Sequence, residues 1–460
     1  MTTRHRRTLA SLVAALGALA LTTSAVAAPP AGEPASPLAL RWTPGAPVTL
    51  APGVTHTTWT ETIPDNRTAG RVLQVVEIDP AAGPVTLESF LGANASAAET
   101  VADQLAAVSP VAARHPHAGV NGGLFQREAA GTAAERIVYT SASAVDGVLH
   151  SAGCWSGGKG STGAVIQYGV PYITKLRTEM RLTAPTGETI RIDDVNRSPG
   201  RAPHCARDER DTKVSSDPAV YSDPDEIVLF TDDYGATVPA PGTDPTGAAT
   251  TDRGFEVVLD AHGVVTDAHE GRGGIRVPAG GRVLQGIGTG AAWLRTRFVR
   301  DDRAVIGTRL RDMTRERDIP LDASVDVVSA FHQLLRDGEI PAELPDACSG
   351  TETGADGTTR VCTDSRTALG TDDEGHPVLV TLTGRANEDG DYLRSFAELL
   401  DSRELGLVDV LNLDGGGSTT LVTGTRVRTP PTDTEGGVKV HRKVADAVYT
   451  GVGGYGLPAA

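Results

Sequence analysis

Residues 408–423 read VDVLNLDGGGSTTLVT. Val408, Val410, Leu411 and Leu413 form an apolar, partly β-branched run of the kind that makes a buried strand, and the run stops at Asp414. Gly415, Gly416, Gly417 and Ser418 follow, and a second apolar run starts at Leu421 and Val422. The expected unit is strand, loop, strand, with a carboxylate at the strand end. Glycine admits positive φ and close approach, so consecutive amides can curl into a nest for an anionic oxygen. The same residues also read as a tight turn capped by Asp414, and both readings stay open at this level.

Immediately upstream, Ser395-Phe396-Ala397-Glu398 matches a capping box and opens an expected helix through Leu399, Leu400 and Leu405 that closes at Gly406. Before it, Arg366–Gly370 and Val378–Leu382 read as a hairpin across Asp372-Asp373-Glu374-Gly375, with Arg385 just past its end. Residues 326–335 (DVVSAFHQLL) are mixed, and His332 at the edge of an apolar segment is more often a packed residue than a catalyst. Strands are expected at 225–231, 255–260 and 283–287. Gly286-Ile287-Gly288-Thr289-Gly290 lacks the strand–GxGxxG–helix context of a nucleotide fingerprint.

In the first third of the chain, Arg71–Ile78 and Val85–Leu91 read as an early hairpin across the Pro- and Gly-rich residues 79–84. Ser96-Ala97-Ala98-Glu99 matches another capping box, with Val101, Leu105 and Val108 on one helical face. Asn121-Gly122-Gly123 is a hairpin-turn signal taken alone. As a second polar-plus-glycine element it becomes a candidate wall of the pocket that Asp414 faces. Residues 151–225 show weak periodicity and read as a loop-rich, substrate-facing insertion. The fold class expected is α+β: a mixed, mainly antiparallel sheet core with flanking helices and that insertion, in one domain over 48–460.

Arg4, Arg6 and Arg7 precede an apolar run from Leu9 to Leu21, and Ala25-Val26-Ala27 supplies small residues for cleavage, so residues 1–27 read as a bacterial secretory signal peptide. Residues 28–47 read as a Pro/Ala-rich linker, and no later run approaches a membrane span. The net charge is −16, or −19 without the three signal arginines, which disfavours nucleic acid and anionic membranes as partners. Cys154, Cys205, Cys348 and Cys362 are even in number without CxxC spacing, which favours two disulfides over zinc; 154–205 with 348–362 is the first choice of three connectivities.

Three blocks carry a family resemblance: Asn121-Gly122-Gly123-Leu124-Phe125, then Arg366-Thr367-Ala368-Leu369-Gly370, then Leu411-Asn412-Leu413-Asp414-Gly415-Gly416-Gly417-Ser418-Thr419-Thr420, supported by Val440–Ala447 near the end. In order and spacing they resemble the phosphodiester glycosidase domain, over roughly residues 50 to 455. The chain departs from the family pattern at Thr383-Gly384-Arg385, where an acid commonly precedes Gly-Arg, and at Ala330-Phe331-His332-Gln333-Leu334, where glycines are usual.

The resemblance implies hydrolysis of sugar-1-phosphodiester bonds. In such a bond the leaving phosphate is already the anion of a strong acid, so the site need supply little proton donation. It must supply positive charge and N–H donors at the phosphate, and a carboxylate near the anomeric carbon. Arg366, Arg385 and Arg442, with the Gly415–Ser418 amides, suit the first task; Asp414 suits the second; Asn121, Gly122 and Gly123 would contact substrate. Ser418 as a nucleophile is weakly supported, because no histidine–acid pair is placed beside it. Asp414 could hold a divalent cation, but no second clustered acid stands near it in sequence, and no metal or cofactor is assigned. The expected substrate is a phosphorylated carbohydrate or cell-wall glycopolymer outside the cell. Two other readings remain: a catalytically silent wall- or glycan-binding protein that kept the fold, and a phosphodiesterase that cuts P–O rather than C–O.

Overall fold

The computed structural model describes residues 36–62, 70–108, 115–127, 136–216, 219–242, 251–344, 352–353, 359–360, 364–384 and 390–452. The expected signal peptide, Arg385, Cys348 and Cys362 lie outside the described residues. Among those described, no helix is long and apolar enough to cross a membrane.

The first sheet is antiparallel and runs in the order Trp42–Pro44, Val54–Glu61, Val72–Ile78, Pro377–Thr383, Arg366–Asp372, Leu407–Asn412, Gln333–Leu335, with Val48–Ala51 paired onto Val54–Glu61. Its central strands Pro377–Thr383 and Arg366–Asp372 are buried almost throughout because both faces are covered. Val378, Val380 and Leu382 pack on the helix Leu393–Leu400, through Leu393, Phe396, Ala397, Leu399 and Leu400. Leu379, Leu369 and Leu411 point the other way. The expected hairpin is present in register, Thr371 opposite Pro377, and Asp372 Oδ1 accepts from the Glu374 and His376 amides to fix the turn.

The second sheet runs Arg426–Val427, Leu421–Thr423, Pro116–Asn121, Ala447–Val452, Val85–Phe90. Leu87, Ala118, Val120, Leu421 and Val448 pack against the first sheet. The opposite face takes Val101, Leu105 and Val108 of the helix Val101–Val108. A third sheet includes Val325–Ser329, Ser161–Gln167, Val170–Thr183 and Val305–Asp312, and adds Ala164, Ile166, Val328 and Ala330 to the same central core. Its far side packs on a fourth sheet, built on Ile227–Thr231, Arg282–Gly286 and Phe255–Leu259, and on the helix Gly288–Arg297.

Four expectations are corrected. The fold is sheet-dominated rather than a balanced α+β, since the four α-helices among the described residues span only five to ten residues each. Val72–Ile78 and Val85–Phe90 are strands but not a hairpin: they join different sheets, the first beside Pro377–Thr383 and the second beside Ala447–Val452. Residues 151–225 are not loop-rich throughout, because Ser161–Gln167 and the fourteen-residue strand Val170–Thr183 are interior members of the third sheet. The helix Val101–Val108 is capped by Thr100 rather than Ser96: Thr100 Oγ1 accepts from the Asp103 amide at 3.1 Å, and Glu99 accepts from the Ala93 amide at 3.0 Å.

Candidate active site

Three sheets end at one place. The chain leaves the first sheet at Asn412 and enters the second at Leu421, so residues 413–420 bridge the two. Arg366–Asp372 lies antiparallel to Leu407–Asn412 with Ala368 opposite Asn412, which carries Ser365 and Arg366 alongside the bridge. Leu413 N–H donates to Thr367 O at 2.9 Å and Gly416 N–H to Ser365 O at 2.7 Å. In the second sheet Asn121 stands opposite Ala447, which sets Gly122 and Gly123 against Asp446. A Cβ on Gly122 would lie 2.4 Å from Asp446 Oδ1, and one on Gly123 would lie 2.9 Å from Ser329 O at the end of the third sheet. Glycine is required there by proximity alone. Residues 330–332 then cross from the third sheet to the first.

The result is a cleft of about 470 Å³ whose wall includes Asp364, Arg366, Asp414 and Arg442 on the polar side and His204, Phe331 and His332 around them. Asp414 is half-buried. Burial pushes its carboxyl up to about 6, and Asp364 adds to the rise, against the Ser418 hydroxyl, the Arg442 charge and the Gly415 amide. The group therefore stays ionised at neutral pH but sits near its titration point, as a base should.

Arg366 is 8 % exposed and its Nε–H donates to Asp391 O at 2.8 Å, which fixes the side chain beside the loop. Burial lowers its guanidinium from the ordinary value while Asp364 and Asp391 oppose that. Arg442 reaches the cleft over Gly417: a Cβ there would lie 2.2 Å from the guanidinium carbon. Arg442 Nη2 pairs with Asp433 Oδ1 at 2.9 Å.

The anion-nest expectation does not survive for most of the loop. Gly415 N–H donates to Asp414 Oδ1 at 3.0 Å, Gly416 N–H to Ser365 O and Ser418 N–H to Gly415 O at 3.1 Å, so these amides are turned into the protein. The 3₁₀ turn at Gly416–Ser418, with Gly416 at φ 56°, produces this orientation. Asn121 is fully buried and does not line the cleft. Its Nδ2 donates to Asp414 O at 2.7 Å, and its Oδ1 accepts from Thr367 Oγ1 at 2.8 Å and Thr420 N at 3.1 Å. It ties the two sheets to the loop. Ser418 is 1 % exposed and serves the Asp414 carboxylate.

Four residues of this arrangement were not singled out from the sequence. Asp446 is 2 % exposed, accepts from Gly123 N at 2.8 Å, and is pushed up to about 7 by burial and then by the Asp414 charge. An acid at the head of a buried strand, in the run VADAVYT, was the available signal. Asp364 stands two residues before Arg366. His204 and Phe331 come from segments with no periodic signal. Cys154 and Cys205 form the disulfide expected, beside His204. Carboxylates crowd to metal-ligand distance elsewhere, at Asp193, Asp208 and Asp223, where Arg210 pairs with Asp193 and Asp208 at 2.7 Å.

Residues 253–450 match the family model for phosphodiester glycosidase, a span that includes Arg366, Asp414, Arg442 and Asp446. Over 132 residues the chain is 33 % identical to N-acetylglucosamine-1-phosphodiester α-N-acetylglucosaminidase of Mus musculus, which covers 28 % of this chain and a quarter (25 %) of the mouse protein. Among solved structures, an exported protein of Burkholderia pseudomallei superposes with a TM-score of 0.71 at 21 % identity, covering 92 % of this chain and 98 % of that one. A protein from Synechocystis superposes with a TM-score of 0.56 at 17 % identity, covering 87 % and 62 % of the two chains. These likenesses concern the fold, while the family-model match falls on the part of the chain that carries Asp414. Over residues 253–450 the chain is thus similar to the phosphodiester glycosidases, and it spans a quarter of the length of the mouse protein.

Proposed function

We propose that this protein is a secreted hydrolase of glycosyl phosphodiester bonds in extracellular or cell-wall glycoconjugates. The observation that supports it most directly is the sharing of one cleft by the Asp414 carboxylate and the Arg366 and Arg442 guanidinium groups. Export is supported by the Cys154–Cys205 disulfide and by the amino-terminal sequence pattern.

In this reading the two arginines receive the phosphate and offset the charge that grows on it as the bond to the sugar breaks. Asp414 faces the anomeric carbon. Water adds its oxygen to that carbon, the carbon–oxygen bond to phosphorus breaks, and the phosphomonoester departs as an anion. The proton lost by the attacking water passes to Asp414, which is ionised at neutral pH and close enough to its titration point to accept it. Asp446, behind Gly122 and Gly123, holds the turn on which the Asp414 amide rests.

The test is release of free sugar from UDP-N-acetylglucosamine and a small panel of sugar-1-phosphodiesters, comparing the secreted protein with its Asp414→Asn variant, each with and without chelator. Turnover that disappears in a folded Asp414→Asn protein supports the reading. Heavy-oxygen water entering phosphate rather than sugar would replace it with P–O cleavage. Binding of wall glycans without release of sugar would make the protein a binding module.

A further inference from the structure

We infer that His204 and Phe331 form a platform for the sugar ring of the phosphodiester, an inference that rests on the reading of the cleft given above.

The cleft is lined by two kinds of side chain. Arg366, Asp414 and Arg442 supply its charged groups, and two rings of the same lining, His204 and Phe331, have centroids 6.3 Å apart and planes tilted by 34°. Guanidinium groups suit the phosphate, which leaves the ring surface for the uncharged part of the ligand. A pyranose offers one face of C–H groups, and that face packs on aromatic surface with the burial and geometry that favour such rings.

The placement of His204 is enforced from several directions. It is a non-glycine residue at φ 63°, a left-handed conformation that persists only where the surroundings over-determine it. Its N–H donates to Ala219 O at 2.7 Å, and the next residue is bonded to Cys154. Arg207 Nη1 donates to Cys205 O at 3.1 Å while Arg207 Nε pairs with buried Asp194 at 2.7 Å. Burial and then the Arg207 charge hold the His204 imidazole below its ordinary pKa, which favours the uncharged ring. Phe331 is fixed from the other side by the crossing between sheets, where Asn412 N–H donates to His332 O at 3.0 Å.

The platform is tested by calorimetric binding to the Asp414→Asn protein, which removes the reacting carboxylate. The two probes are the methyl phosphodiester of N-acetylglucosamine 1-phosphate, which has the ring, and glycerophosphoglycerol, which has the diester without a ring. Phe331→Ala and His204→Ala, each made in that background, are expected to weaken the first probe about tenfold and leave the second within about twofold, with Phe331→Tyr retaining affinity. The Cys154→Ser/Cys205→Ser pair is expected to reproduce the His204→Ala loss. Equal weakening of both probes, no weakening, or no binding of the ring-bearing probe to the Asp414→Asn protein overturns the inference. Thermal unfolding of each variant separates loss of the platform from loss of the fold. The measurement needs no turnover, so absence of sugar release by the wild type would remove the hydrolase reading while the probe ratio still decides the platform.

Discussion

Asp446 and Asp414 are held on the two sides of the Gly122–Gly123 turn: Gly123 N–H donates to Asp446 Oδ1 at 2.8 Å, and Asp414 N–H donates to Gly122 O at 3.1 Å. The turn therefore couples a carboxyl that faces the cleft to one that is buried behind it. Burial raises both, and the charge on Asp414 raises Asp446 further.

The first consequence concerns pH and rate. In the proposed reaction Asp414 acts only when ionised, and burial pushes its carboxyl up to about 6. On a cleaved phosphodiester, kcat/KM should fall as pH drops through about 6, approaching tenfold per unit below it. Arg442→Gln should move this limb upward, because the Arg442 charge favours the ionised form. Asp446→Asn should leave it nearly in place, because Asp446 is pushed up to about 7 and is mostly protonated where Asp414 titrates. A profile flat between pH 7 and pH 5 would contradict the assignment of Asp414 as the base.

Stability should depend on pH in the opposite sense to that of a salt-bridged carboxylate. Asp446 and Asp326 are each pushed up to about 7, chiefly by burial, from an ordinary value of 3.8. The folded state thus binds more protons than the unfolded chain between about pH 4 and 7, and stability falls as pH rises through that window. Each group accounts for on the order of 4 kcal/mol at most. Asp194 and Asp312 are held low and oppose this only at more acidic pH, whereas His150, pushed down to about 4 by burial, opposes it between about pH 4 and 6.5 without cancelling the two carboxyls. Calorimetric melting should give a higher Tm near pH 5 than near pH 8, and Asp446→Asn should narrow the difference. A higher Tm at pH 8 would refute it.

Asn121→Ala removes three hydrogen bonds from a fully buried position and leaves Asp414 O and Thr420 N without that partner. The expected loss is roughly 3 kcal/mol of stability, read from denaturant unfolding. Activity should fall with it, because the Asp414 loop loses its anchor. A stability change below about 1 kcal/mol would show that the loop is held by other contacts.

Gly417→Ala places a methyl group 2.2 Å from the Arg442 guanidinium carbon. The far end of that side chain must swing away, since the glycine backbone is tied through Thr432 Oγ1 donating to Gly417 O at 2.6 Å. The expected result is a folded protein with kcat/KM reduced by about tenfold or more, as for loss of one charged contact to a developing phosphate anion. Arg442→Ala should show a similar loss, and the double variant should add little, because both remove the same contact. Additive losses would place the effect of Gly417 elsewhere.

The sequence alone determined the local units of the site. The apolar run ending at Asp414 and the Arg366 hairpin were legible because strand propensity, β-branching and turn chemistry act over a few residues, and both appear where they were read; Asn121-Gly122-Gly123 follows a strand but makes no hairpin, since Pro116–Asn121 and Phe125–Arg127 pair in different sheets. The Cys154–Cys205 disulfide agrees with the first choice among the three connectivities that four cysteines allow. What the sequence left undecided was the pairing of strands hundreds of residues apart. Val72–Ile78 and Val85–Phe90 look like a hairpin locally, yet each gains more from a distant partner that buries both its faces, and no short-range pattern encodes that choice. The same applies to residues 151–225, whose long interior strand is stabilised by neighbours in the third sheet. The role of Asn121 changed for this reason: only the meeting of two sheets makes its amide a tie to the Asp414 loop. Asp446 and His204 entered the site through burial against Gly122 and through a disulfide-held turn, both of which are properties of contacts in space.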